Sequence, residues 1–306
     1  MSPALAASTR RVPGTTALRI EEAGGPVVGF VSSASGGAIS ADVTVYQSGG
    51  DPFSQKQLGD LRYEDITVEV GVAMPGALFD WVAASWGPQP PSRDGALLAL
   101  GHDFTIQREQ PFDDALIAET TIPALDASTK SAGRVAVRIT PRSLGLATSP
   151  GTKLQISLAK SPHKSWLTSN FRFTIDGIDT KHVSRIEPLS VRRAIDVQTS
   201  GGGSTTISPG RITFPDLRVR LSALSAAGWY AWHKDFVIDG NNTNADERTG
   251  AISFMAPDFK TELARIDLHG MGIVRVIPAP AGDQASAASV VADLYCERMQ
   301  LAAGAA

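Results

Sequence analysis

The chain has one cysteine, Cys296, so no disulfide can form within it. It has no apolar run near the roughly 20 residues a membrane helix needs. Arg10-Arg11 is followed by no apolar segment, so no signal peptide is expected and synthesis in the cytoplasm is. The net charge of −3 carries no basic excess of the kind nucleic-acid binding needs. Histidines number five (His102, His163, His182, His233, His269), and none stands in HxxxH or HExxH spacing. The glycine-rich stretch 200–206 lacks the Gly-Lys-Ser/Thr of a phosphate loop. Residues 239–250 have the composition of a calcium loop. Asn244, however, stands where the loop needs glycine, and Gly250 where it needs a bidentate glutamate. No catalytic, cofactor-binding or metal-binding residue is expected, and no enzyme activity.

What the chain does have is a repeat. Residues 61–86 return as 212–237. Asp65 answers to Asp216, Ile66 to Leu217, Val68 to Val219, Val70 to Leu221, Phe79 to Tyr230 and Trp81 to Trp232, each pair 151 residues apart. Alternation at Ile66, Val68 and Val70 and at Leu217, Val219 and Leu221 predicts a strand in each copy. The period then changes. Leu78, Phe79 and Val82, and later Trp229, Trp232 and His233, fall at helical spacing. The aromatics Phe79, Trp81, Trp86, Trp229, Tyr230 and Trp232 are expected as core anchors. Residues 95–104 match 250–259, and 122–124 match 277–279, now 155 apart. The slip is absorbed by the polar run 239–250. His102-Asp103 would be the best acid–base pair, but its counterpart Pro257-Asp258 keeps only the aspartate, so a turn aspartate is expected.

At 306 residues, two domains of about 150 are the default, and 42% apolar content can fill two cores. The expected division is a flexible arm at 1–16, a first domain at 17–150, a linker at 151–170 and a second domain at 171–306. Short strands with frequent turns predict a mainly β fold: two tandem antiparallel β-sandwich or barrel domains, each with one short helix. The first 150 residues hold 11 Lys+Arg and 16 Asp+Glu, and the rest 17 and 15, so the halves carry −5 and +2. The stretches 47–60 and 198–211 are expected as flexible loops, and Gln110-Pro111 as a hairpin turn.

The order of these pieces resembles the tail-tube protein family of contractile phage tails and contractile injection systems. In the second half they are residues 171–177 (FxxxIDG), 201–203, Pro209-Gly210, 214–221, 229–233, 250–258 and 293–301. The first half matches from about residue 58. The resemblance implies packed antiparallel sheets with one helix, and rings whose inner sheets join around a lumen. It departs from the family in carrying two units, and in having Arg220-Leu221-Ser222 and Glu69-Val70-Gly71 where a basic-glycine ending is common.

Antiparallel edges with unpaired N–H and C=O groups suit ring closure. Six chains could form two stacked rings, toward which the fused pair inclines, or three chains one pseudo-six-fold ring. The expected role is a structural subunit of a hollow tube in a virion or phage-tail-like particle, with sheath and baseplate proteins as partners and DNA or protein as lumen cargo. One alternative is a baseplate hub or tube initiator adapting three-fold to six-fold symmetry. Another is a ligand- or carbohydrate-binding pair of β-sandwiches with exposed tryptophans.

Overall fold

The computed structural model describes residues 15–21, 26–47, 53–72, 74, 76–154, 166–200, 204–279 and 288–304. The expected arm lies outside the described residues up to position 14. The first half contributes β1 (Thr15–Ile20), β2 (Val27–Val31), β3 (Ser33–Gly36), β4 (Ile39–Tyr46), β5 (Gln55–Tyr63), β6 (Ile66–Val70), helix α1 (Gly76–Ser85), β7 (Arg93–Leu100), β8 (Ile106–Ile122), β9 (Leu125–Asp126), β10 (Val135–Thr140) and β11 (Ser143–Leu144). The second half contributes β12 (Phe171–Ile175), β13 (Val183–Ile186), β14 (Leu189–Ser200), β15 (Ser204–Thr213), β16 (Leu217–Ser222), helix α2 (Ala227–His233), β17 (Arg248–Met255), β18 (Glu262–Pro278) and β19 (Ser289–Ala303). The fold is mainly β, as the short turn-bounded alternating runs demand.

All strand pairs are antiparallel, and the two halves share one strand order. In the first the path is β1-β7-β8-β10-β6-β3; in the second it is β12-β17-β18-β19-β16-β13. The registers coincide as well. Ile66, Val68 and Val70 face Ile139, Val137 and Val135. Leu217, Val219 and Leu221 face Leu294, Ala292 and Val290. Bulges recur at matching places: Arg138/Ile139 answers to Ile273/Arg275, and Ala41/Val43 to Arg193/Ile195. One expected offset is corrected. Leu98 faces Glu109 whereas Ser253 faces Arg265, so β8 and β18 lie 156 apart, not 155. The turn from β17 to β18 is one residue longer than the turn from β7 to β8.

The alternating rows of β6 and β16 are buried, and one apolar cluster runs through both halves. Each helix drives a tryptophan into it. Trp81 and Trp229 are fully buried, and their indole N–H groups donate to Pro91 O at 3.0 Å and Asp179 O at 3.1 Å. Burying an indole with its N–H bonded gains the apolar area without stranding a donor. Beyond α2 the chain continues as a π-helical turn, Lys234–Ile238, and a polar loop, which is where the extra residues of the second half sit.

Three expectations about loops are overturned. The stretches 47–60 and 198–211 are largely strands of two long hairpins, β4–β5 and β14–β15, with only 48–52 and 201–203 outside the described residues. Pro209-Gly210 lies inside β15 at a bulge, where a missing N–H is tolerated. Gln110-Pro111 lies in the middle of β8, and the turn before that strand is at 101–105. Glu187-Pro188 separates β13 from β14.

Candidate assembly interface

Strand β8 is longer than its neighbour β7. Its first part pairs with β7, and beyond Ala115 that edge is left open by the first half. The second half fills it. Leu189, Ser190, Val191 and Arg192 of β14 pair with Ile122, Thr121, Thr120 and Glu119 of β8. A second junction lies alongside, where Leu125 and Asp126 of β9 pair with Ile186 and Arg185 of β13. The halves therefore meet side by side through continued sheets, and backbone pairing ties them alongside the shared apolar cluster. Trp86 and Phe214 add an edge-to-face ring contact across it at 6.4 Å.

Charged groups reinforce the seam. Glu119 accepts from Arg138 of its own half at 3.1 Å and from Arg192 of the other at 2.9 Å. Burial opposes the Glu119 charge, but hydrogen bonds from Arg192 and Arg138 outweigh it and hold the carboxyl below its usual range. Arg185 donates to Glu187 and to Asp126, both at 2.8 Å. Asp126 is held low, chiefly by the Ser128 hydroxyl and then, against burial, by Arg185; Glu187 is held low by Arg185. Arg193 goes deepest, at 7% exposure. Its guanidinium donates to the carbonyls of Ser85 (3.0 Å), Gly87 and Gly210 (2.8 Å). A cation from the second half thus caps the C-terminus of α1 in the first, where orphan carbonyls and the negative end of the helix dipole lie.

The same two features recur elsewhere without a further strand partner among the described residues. The hairpin β4–β5 forms a sheet of its own. Val43, Val45, Leu58 and Leu61 are exposed on it, Leu58 at 73%. Beyond Met271 no described strand covers the β17 side of β18, and Val274 there is 53% exposed.

The aromatics expected in the core are there except one. Trp81, Trp86, Trp229 and Trp232 are buried and Phe79 is half-buried, but Tyr230 is exposed because α2 turns that position outward. Trp166 is buried too, so no tryptophan is free to serve as a carbohydrate platform. Asp103 receives the Thr105 N–H and hydroxyl in a turn, and these bonds hold its carboxyl low; His102 beside it is exposed. His233 is half-buried at the end of α2. In the calcium-like stretch Asp246 accepts from Thr243 N–H and hydroxyl, closing a turn. Cys296 is buried, and burial pushes its thiol up to about 11. Among the described residues no group of three or more His, Cys, Asp or Glu could hold a metal ion, and no helix is long and apolar enough to cross a membrane. The seam itself was missed in the sequence. Its one signal is the apolar start of β14, Leu189 and Val191.

Residues 18–139 match the family of T4-like virus tail tube protein gp19. The match falls on the first half, whereas the resemblance was fuller in the second; the extra turn and loop of 234–247 are what set the second half apart in outline. No curated protein matches the chain. Among solved structures, the sheath-tube complex of an extracellular contractile injection system (PVC, extended state) contains a chain with 20% identity, covering 44% of this chain and 88% of that one, at a TM-score of 0.37. The tube-terminating cap of the anti-feeding prophage has 19% identity, 48% and 96% coverage and a TM-score of 0.39. Hcp1 from Flavobacterium johnsoniae has 10% identity, 44% and 97% coverage and a TM-score of 0.28. What the comparisons show is thus a similarity to the tail tube family over residues 18–139.

Proposed function

We propose that this chain is a structural, non-enzymatic ring component of a contractile-tail-like tube, built from two fused tail-tube units. The units are 17–150 and 171–306, copies of one ancestral domain, with 151–170 between them. The family match over residues 18–139 carries this reading. The common strand order, registers and bulges of the halves support the duplication. Sheath and baseplate proteins are the partners, the particle is phage-tail-like, and assembly takes place in the cytoplasm.

For the ring we favour three chains over six. A fused pair acting as a stacking unit would place its two domains one above the other. The seam through β8 and β14 supports the other geometry, because it continues one sheet into the next sideways. One such junction repeated head to tail closes a ring, and six units then need three chains. Mass photometry tests it: particles of three times 32.2 kDa are expected, and particles of six chains with no three-chain species overturn the stoichiometry. Negative-stain microscopy tests the role. Hollow rods or rings are expected, and a monodisperse single chain under all conditions rejects it.

One observation favours the hub or initiator variant of this role. The ion pair Glu119–Arg138 of the first half becomes Arg275–Asp293 in the second, with the signs exchanged between strands. A ring of three such chains has true three-fold and only approximate six-fold symmetry, as an adaptor requires. Isolated rings that nucleate rods of a second protein support the adaptor; self-assembled rods support the tube.

A further inference from the structure

The seam inside the chain predicts the seam between chains. We propose that the β4–β5 hairpin of one copy docks on the open edge of β18 in a second copy, as β14–β15 docks on β8 within the chain. This inference rests on the ring reading above.

The correspondence fixes the register. The bulges at Ala41/Val43 and Arg193/Ile195 place β4 against β14, so Val191 answers to Ile39 and Arg192 to Ser40. The close approach repeats also: Gly59 lies against Asp42 as Gly210 lies against Ala194. The bulges at Arg138/Ile139 and Ile273/Arg275 place β8 against β18, so Glu119 answers to Arg275 and Thr120 to Val276. Within the chain Val191 faces Thr120 and Arg192 faces Glu119. Between chains Ile39 then faces Val276, and Ser40 faces Arg275.

Burial supports a missing partner on both surfaces. Val191 and Thr120 are buried at the filled seam, whereas Ile39 and Val276 are half-open and Ala38 and Arg275 exposed. Ala118 is buried in the first half, and the residue in its place, Val274, is exposed. A lone two-stranded hairpin is marginal in water, and this one carries Val43, Val45, Leu58 and Leu61 into solvent. Apolar residues sit on both members, as an edge-to-edge junction between identical chains requires.

Two differences set the character of this second seam. Ala41 stands where Arg193 stands, so the junction between chains has no cation capping a helix. It is therefore the weaker and more reversible of the two. At the hairpin root Gly36 stands where Pro188 stands. Gly36 and Gly37 have φ of 84° and 77°, whereas proline is fixed near −65°. The unpartnered hairpin thus leaves β3 on a glycine pair that can redirect it.

Cysteine cross-linking tests the register, in a Cys296→Ala background that removes the buried native thiol. The double variant Ile39→Cys, Val276→Cys is oxidised after assembly and run without reductant. Chains linked one to the next are expected, with closed three-chain species dominant and all dissociating on reduction. The double variant Thr120→Cys, Val191→Cys is the internal control and is expected to link within one chain. If rings form and the control links but the 39–276 pair does not, the docking register is wrong. If no rings form at all, the ring reading fails instead. Leu58→Asp gives the independent arm. It is expected to raise the concentration for half-assembly at least tenfold with an unchanged circular dichroism spectrum; unaltered assembly overturns the hairpin as the docking element.

Discussion

Arg193 shows how much one side chain can decide. Its carbonyl partners, Ser85, Gly87 and Gly210, belong to both halves, and its burial pulls the guanidinium below its ordinary pKa without a carboxylate to offset the cost. Backbone carbonyls at a helix end supply the compensation, since they carry the negative end of the dipole. Truncation to alanine strands those carbonyls. Arg193→Ala is expected to cost about 2–3 kcal/mol, the range for hydrogen bonds to a charged group, read by urea denaturation. Arg193→Lys is expected to recover less than half, because one ammonium cannot span the fork. A loss under about 0.5 kcal/mol, the ordinary scatter of surface substitutions, would remove Arg193 from the seam's energetics.

At the scale of elements, the helices and hairpins show what the residues disclosed and what they hid. The strand β6, its counterpart β16 and the helices after them were legible because their apolar period changes from two to near four within a few residues. Trp81 and Trp229 were readable as anchors for the same reason, and each is expected to cost about 3–5 kcal/mol on truncation to alanine, seen as a fall in thermal midpoint. The hairpins β4–β5 and β14–β15 were not legible at 47–60 and 198–211, which were expected as loops. Their return strands are polar and hold glycine or proline, as in Gly59 and Pro209-Gly210, because those strands sit at bulges and in solvent rather than on a core. Local chemistry there matches a loop; only the partner strand makes it β. The root at Gly36 is a case where the reason is geometric. A Cβ there would lie 2.0 Å from Asp65 O, at a φ of 84°. Gly36→Ala is expected to destabilise by about 1–3 kcal/mol, the usual cost of a strained backbone position, and a neutral result in thermal melts would show the root to be free to relax.

For the whole molecule, the question is which part yields first, and acid separates the parts. Glu119, Asp126 and Glu187 all sit at the meeting of the halves, and all three are held below their usual range in the folded chain. A carboxyl whose folded pKa lies below its unfolded value stabilises fully above the unfolded value, and that contribution drains away as pH falls toward the folded one. The sheet cores are apolar and lack such a dependence. The seam is therefore expected to loosen at a pH below the ordinary carboxylate range while the sheets hold. Hydrogen exchange, corrected for the intrinsic pH dependence, should quicken first at the amides of 119–122 and 189–192, and only later in β6 and β16. Glu119→Gln gives the counterpart: it weakens the seam at neutral pH and flattens its acid response, since the amide no longer titrates. Uniform quickening across seam and core would mean instead that the two halves open as one cooperative block.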